Sequence, residues 1–271
     1  NRLSKTVSCI SSILQHCSVE FRIIIVDDGS SDGTSTFLEN NYPQVVILKG
    51  DGSLFWTGAV KVGIDYVLDI HKFNDWVLLM NNDVQIQANT IENLLYFAKE
   101  KNRHTLTNAL SVDLLDGDTI IKSGTKVLSW ALNMTKHVNH GNSLRNLLSL
   151  DAIEVDLLTG RCLLHPVEIF REIGGYNPDL LPHYGGDDEF TSRARANGYK
   201  LYVLPSAIVF LDQEKSCKDR VNIVRSFTSI KSNINLIFRW RLTRSIVPFC
   251  SQPTYYLISV FKSVIYHLKN D

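Results

Sequence analysis

Two hydrophobic periods alternate along this chain. Residues 3–15 place Val7, Ile10, Ile13 and Leu14 at helical spacing, and residues 21–26 end in the β-branched run Ile23-Ile24-Ile25-Val26. The exchange repeats, with a helix over 33–40, a strand over 44–48, a helix over 57–70 and a buried strand over 76–80. A β-α-β-α-β order predicts a mostly parallel sheet with helices on both faces. Beyond it the pattern predicts a helix over 88–102 and strands over 105–112 and 119–128, whereas 129–150 is polar and without period. Residues 154–164 are apolar and extended. A short helix over 166–173 opens on Pro166. Another over 188–197 stops at Gly198. Strands over 200–204 and 207–210 follow, then a helical pattern over 217–267 that is interrupted at Pro248 and Pro253. The fold class is α/β: a mixed, mostly parallel, Rossmann-like sheet flanked by helices. The expected division is a domain over 1–212 and a C-terminal helical extension over 213–271.

Composition adds three constraints. A chain of 271 residues, 44% hydrophobic, suits one large α/β domain with an appendage. The five cysteines are odd in number and none are in CxxC spacing. That argues against a disulfide framework or a zinc site and suits a reducing cytosol. The formal charge is zero, but from Lys215 to Asp271 ten Lys/Arg face two acids, a net of +8 balanced by −8 on the rest. No signal peptide or apolar span of membrane length stands out, so a cytoplasmic location is expected.

Candidate chemistry sits where strands end. Asp27 and Asp28 close the first strand and are followed by Gly29, Ser30 and Ser31. The carboxyl edge of an open α/β sheet is where ligands bind, and such acids accept hydrogen bonds from a base imide or ribose. The same residues also suit a turn and a helix cap, with Ser31 or Asp32 capping. Residues 50–59, Gly-Asp-Gly-Ser-Leu-Phe-Trp-Thr-Gly-Ala, form a glycine-rich loop entering a helix. Free amides and the helix dipole there favour phosphate. Trp56 offers a stacking surface, or simply packs. Asn81-Asn82-Asp83 closes the next buried strand. A hard cation such as Mg²⁺ or Mn²⁺ takes carboxylate oxygens in such a place. Asp187-Asp188-Glu189 starts a helix, where the dipole tolerates acids.

In that order these segments resemble the family 2 glycosyltransferases. That family carries a hydrophobic-Asp-Asp-Gly/Ala-Ser strand end and an Asp-x-Asp-like triplet. A bacterial, rhamnosyltransferase-like subgroup adds a Gly-Asp-Gly-x-x-Trp-Trp-Thr-Gly loop. The segment Gly160-Arg161-Cys162-Leu163 and the turn Gly174-Gly175-Tyr176-Asn177 match the family's acceptor side. The resemblance covers about residues 1–212. It implies the GT-A fold and inverting transfer of a sugar from a nucleoside-diphosphate sugar to a glycan or lipid-linked acceptor, with cell-surface polysaccharide synthesis as the setting.

The resemblance also implies residue roles. Asp27, Asp28, Ser30, Trp56, Gly58 and Asn82 bind the donor. Asp83 binds the divalent cation. In the family's Glu-Asp-x-(Asp/Glu)-(Leu/Phe)-x-x-Arg segment, Phe190 and Arg193 fix the register, so Asp187 is the base and Gly186 replaces the glutamate. Relatives add a histidine ligand after the last strand, where this chain has Asp212, Gln213 and Glu214, making Asp212 or Glu214 the substitute. Lys61 stands where many relatives have asparagine. His165, His183 and Tyr184 are expected to be structural, with His183 and Tyr184 nearest an acceptor. Family members also carry a strand before the first helix, so the resemblance implies a chain that begins one strand late.

Competing motifs fail on single residues. A haloacid-dehalogenase reading of Asp32-Gly33-Thr34 requires a nucleophilic acid where Ser30 stands. Gly185-Gly186-Asp187-Asp188-Glu189-Phe190 has one residue too many for a diguanylate-cyclase signature and leads into a helix. A nucleotidyltransferase needs a basic phosphate loop, for which 50–61 is a poor substitute. A non-catalytic sugar-nucleotide-binding relative remains the alternative. The basic extension, with eight Lys/Arg and one acid over 215–244, is expected to pack as a helical cap and is compatible with peripheral contact to an anionic membrane. No nucleic-acid motif accompanies its charge.

Overall fold

The computed structural model describes residues 1–71, 75–101, 103–121, 123–147, 151–212 and 223–270. The chain opens with α1 (Leu3–His16), β1 (Ile24–Asp28), α2 (Thr34–Asn41), β2 (Val46–Gly50), α3 (Phe55–Ile70) and β3 (Trp76–Met80). Then come β4 (Val84–Ile86), α4 (Thr90–Glu100), β5 (Thr105–Asp113), β6 (Gly124–Ser129) and β7 (Met134–His137). The middle of the chain continues through β8 (Ile153–Glu154), β9 (Leu157–Leu158), β10 (Cys162–Pro166), α5 (Ile169–Glu172), α6 (Gly186–Ala196) and β11 (Lys200–Leu211). Three helices, α7 (Ile223–Thr228), α8 (Leu236–Ile246) and α9 (Gln252–Asn270), close the described chain.

β1 and β2 pair in parallel as a two-stranded sheet. The central sheet has six strands, with β3-β10-β5-β11-β4 in order and β8 on β11. It is mixed rather than mostly parallel. Only β5 and β11 run parallel within it, and β10 is antiparallel to both β3 and β5. Among its described residues, the segment between β5 and β10 contains strands and short turns but no crossover α-helix, and the chain re-enters the sheet reversed. β6, β7 and β9 form a small antiparallel sheet, of which only β7 lies in the stretch that had no readable period.

Both faces of the central sheet are buried. Leu163 belongs to one core cluster, with Val60 and Ile64 of α3 and Phe190 and Ala194 of α6. Its neighbours Cys162 and Leu164 belong to the other, with Ile91 and Leu94 of α4. That alternation is the strand period read in side chains.

Three prolines act differently from expectation. Pro166 does not open a helix. It ends β10 opposite Trp76, beyond the β5 ladder, where the missing N–H costs no pairing with that strand. The two late strands are one, β11, whose register on β5 shifts between Leu204 and Ile208 around Pro205. Pro253 lies in the first turn of α9, a position that needs no N–H donor, and so does not interrupt it. Cys9, Cys17, Cys162 and Cys250 are free thiols. Cys217, Gln213 and Glu214, with the basic residues Lys215, Lys218 and Arg220, lie outside the described residues.

The C-terminal helices pack as a cap. Arg241 Nη1 donates to the Asp179 carbonyl at 2.8 Å, and Lys262 Nζ to the Asn133 carbonyl at 2.6 Å. Arg239 ties α8 to α9 through Ser259. Burial depresses the Arg239 pKa.

Candidate active site

Three acidic segments end at neighbouring loops. At the end of β1, Asp27 is buried and accepts from the Ser30 amide at 3.0 Å and from the Ser35 hydroxyl. Burial alone lifts this carboxyl, but the Ser30 and Ser35 hydrogen bonds outweigh it and hold the pKa below the usual value. Asp28 accepts from the amides of Gly52 at 2.7 Å and Phe55 at 3.1 Å. It thereby pins the glycine-rich loop to the strand end. Phe55 takes φ +54°, an unfavourable value for a non-glycine residue, and that amide bond helps to hold it.

The second segment is bound to the first through Trp56. Its Nε1 donates to Asn81 Oδ1 at 2.9 Å, and its ring meets Tyr176 edge-on at 5.8 Å. A Cβ on Gly160 would lie 2.4 Å from the Trp56 ring. Trp56 is therefore an internal strut between β3 and the Gly160 turn. Gly58, expected among the donor contacts, is buried in α3, where its Cα hydrogens pack on Leu54 and Pro178. Lys61 pairs with Asp65 at 2.5 Å, one turn along α3.

Asn82 Nδ2 donates to Thr6 Oγ1 at 2.9 Å. Asp83 Oδ2 pairs with Arg2 at 3.2 Å, and Asp212 with Lys5 at 3.0 Å. The register Leu211↔Val84 puts Asp83 and Asp212 at the same end of adjacent strands. Asp83 Oδ1 is buried and has no hydrogen-bond partner. Two carboxylates on adjacent strand ends, one with an orphaned oxygen, fit a hard divalent cation. Among the described residues no group of three His, Cys, Asp or Glu side chains surrounds such a place.

Asp187 occupies the first turn of α6, which begins after Gly185 at φ +85°. Gly186 beside it touches α3: a Cβ there would lie 2.6 Å from Thr57 Oγ1. Asp187 Oδ2 accepts from the Gly160 amide at 3.1 Å, and Oδ1 from the Asp188 amide at 3.0 Å. Burial raises its pKa, opposed by these amides and by the Arg161 charge. A carboxylate with a raised pKa and a fixed orientation is suited to take a proton. Glu189, matched to the family's second acid, is turned inward and holds Arg193 at 2.8 Å. Arg193 in turn donates to the carbonyls of Gly174 and Gly175. This pair fixes the turn before α6 and faces away from chemistry.

His165 is fully buried, with Nδ1 3.2 Å from the Val77 carbonyl and Nε2 3.2 Å from Tyr176 Oη. His183 lies at the cleft side, its ring 6.2 Å from Phe55, with Nδ1 buried and unpartnered. Tyr184 is exposed. Sequence reasoning missed Phe55, Arg161 and the cations Arg2 and Lys5. Arg161 had one legible signal, a lone charge inside the apolar run 157–164.

Known proteins are similar to this chain in sequence and in fold. Residues 1–124 match the model of "Glycosyl transferase family 2". An N-acetylglucosaminyl-diphospho-decaprenol L-rhamnosyltransferase of Mycobacterium tuberculosis (strain CDC 1551 / Oshkosh) is 25% identical over 203 residues, 69% of this chain and 65% of that protein. The chain thus matches less than two thirds of that relative's length. The structure of GalNAc-T7 with UDP, GalNAc and Mn²⁺ superposes with TM-score 0.61 at 16% identity, over 79% of this chain and 41% of that one. The Pyrobaculum calidifontis mannosyltransferase PcManGT with GDP-Man and Mn²⁺ gives 0.58 at 12% identity, over 96% and 66%. The first 124 residues are thus similar to glycosyl transferase family 2, and the chain as a whole has the GT-A fold.

Proposed function

We propose that the protein is an inverting glycosyltransferase, with Asp187 as the base that deprotonates an acceptor hydroxyl. The observation that carries this reading is the fixing of the Asp187 carboxylate by the Gly160 and Asp188 amides at the mouth of the β3–β10 strand ends. The acceptor oxygen attacks the anomeric carbon, the bond from that carbon to the diphosphate breaks, and its electron pair leaves with the nucleoside diphosphate. Asp83, with Asp212, would hold a divalent cation, which when bound supplies Lewis-acid stabilisation of the leaving diphosphate. The structure described with UDP and Mn²⁺, and that with GDP-Man and Mn²⁺, support a nucleotide sugar and such an ion as ligands. Ser30 and Asn82 stand at the rim of the donor side. Asp27 and Asp28 act there mainly by shaping the loops around it.

The mycobacterial relative's rhamnosyl transfer to a diphospho-decaprenol acceptor supports a deoxyhexose donor and a lipid-linked glycan acceptor. Ile237, Phe249, Leu257 and Phe261 are exposed on the C-terminal helices, whose basic residues include Arg244 and Lys262. That face supports peripheral contact with an anionic membrane. Among the described residues no helix is long and apolar enough to cross one.

The test is a transfer assay across UDP-, dTDP- and GDP-sugars with a diphosphate-linked N-acetylglucosamine acceptor and Mn²⁺. Asp187→Asn is expected to abolish turnover and leave donor affinity unchanged. Substantial turnover by that variant sinks the assignment, whereas donor binding without turnover by the wild type favours the non-catalytic relative.

A further inference from the structure

We propose that Arg161 is a fixed cation for the donor diphosphate, so that part of the nucleotide's binding in this protein needs no metal. The proposal rests on the glycosyltransferase reading above. Arg161 lies between two of the acidic segments. Its carbonyl accepts from the Asn81 amide at 3.4 Å, and the register Cys162↔Met80 places it at the β3 end that leads to Asp83. The preceding amide, that of Gly160, holds Asp187, and the Arg161 charge acts on the same carboxyl. Arg161 therefore follows the residue whose amide holds the base, and it sits at the sheet end that leads to the candidate metal carboxylate.

Its Nη1 is buried and has no hydrogen-bond partner. An unpaired charged donor shielded from solvent is costly, which points to a missing anionic acceptor. Three other cations are already engaged: Arg2 with Asp83, Lys5 with Asp212, and Arg193 with Glu189. The strand end also has Asn81 and Asn82 before Asp83, a donor set poor in carboxylate. A planar fork of N–H donors matches phosphate oxygens and stabilises charge as it develops on the departing diphosphate. The bond broken and the proton transferred are those of the reaction above. Arg161 exchanges no proton and supplies charge only.

The test is calorimetric titration of UDP, dTDP and GDP, with the matching nucleosides as controls, in Mn²⁺ and in EDTA. Wild type is expected to keep measurable diphosphate binding in EDTA. Arg161→Gln is expected to weaken diphosphate binding about 10- to 100-fold in both media and to leave nucleoside binding unchanged. Arg161→Lys keeps the charge without the fork and is expected to lose several-fold less. Thermal melts check folding, and if the Gln variant does not fold, Arg161→Met takes its place. Diphosphate affinity unchanged in the Gln or Met variant overturns the proposal, as would a loss equal for nucleoside and diphosphate. Wild-type binding that vanishes in EDTA but persists in Mn²⁺ also overturns it and leaves the glycosyltransferase reading standing. Absence of diphosphate binding in both media overturns that reading as well.

Discussion

Gly160→Ala tests whether the site is held together through Trp56. The added methyl would sit 2.4 Å from Trp56 Cζ2, 2.7 Å from Cη2 and 3.4 Å from Leu79 Cδ2. Carbon atoms pack at about 3.5–4.0 Å, so the indole must retreat by roughly 1 Å. It has little freedom to do so, because Nε1 is bonded to Asn81 at 2.9 Å and the ring abuts Tyr176. A 1 Å retreat breaks that hydrogen bond, a loss of about 0.5–1.5 kcal/mol. Overpacking adds about 1–3 kcal/mol, for a total of about 1.5–4.5 kcal/mol. Urea unfolding at constant m-value measures it. Turnover is expected to fall further than stability implies, because the Gly160 amide also orients Asp187. Trp56→Phe removes the fused ring system that carries Cζ2 and Cη2, so in the double variant the clash is relieved and the two costs are less than additive by about 1–2 kcal/mol. A Gly160→Ala cost below about 0.5 kcal/mol, or strict additivity with Trp56→Phe, would refute the strut.

Other outcomes follow from buried charge. His165 donates Nδ1–H to the Val77 carbonyl and so accepts from Tyr176, and burial depresses its pKa to about 4 from 6.5. The folded state therefore binds fewer protons than the unfolded one between those values. Stability present above pH 6.5 is lost as pH falls towards 4, by about 3 kcal/mol. His165→Gln should flatten that slope in urea titrations from pH 7.5 to 4.5, and an unaltered slope would count against it. Asp187 has the opposite sign: its raised folded pKa means stability falls as pH rises from the ordinary carboxylate value through the folded one. Asp187→Asn should therefore melt no lower than wild type at pH 7.5, and a clearly lower melting temperature there would contradict the burial argument. Arg193→Met leaves Glu189, 8% exposed, without its cation and should cost about 3–5 kcal/mol in denaturant titration. Adding Glu189→Gln should recover part of that loss, and no recovery would show that the carbonyl contacts dominate.

Legibility in the sequence tracked locality. The β1 run, α3 and β3 were readable because their apolar spacing is set within a few residues. Of the small β6-β7-β9 sheet, β7 was not, because it is short and carries exposed positions such as Met134. Sheet direction was misjudged beyond β3. Periodicity reports which residues face a core, but not whether β10 enters beside β5 forwards or reversed. The acids stood out in the sequence and their hydrogen-bond partners did not. Asp28 stands out by its neighbours in sequence, yet the amides from which it accepts belong to Gly52 and Phe55, more than twenty residues away. Trp56 was expected to present a face to ligand, and it was the close approach of Gly160 that placed it inside.

That difference changes which groups are left for a ligand. Asp27 and Asp28 are both saturated by the chain's own donors, so their negative charge serves loop geometry first. Buried polar atoms without partners instead include Thr57 Oγ1, Asp83 Oδ1, Thr159 Oγ1, Arg161 Nη1 and His183 Nδ1. These belong to loops and element ends joined through the Trp56 strut and Asp187. Each unpaired group costs about 1–3 kcal/mol in an empty protein. Unmade hydrogen bonds at these loops, next to acids whose oxygens each accept one from the chain itself, are stability given up for readiness to bind. The mixture matches an anionic ligand with hydroxyls: one cationic donor, one carboxylate oxygen open to a metal, and neutral groups able to donate or accept. Binding should then stabilise this protein more than the count of its acidic residues suggests, because the ligand completes hydrogen bonds that the fold has left unmade.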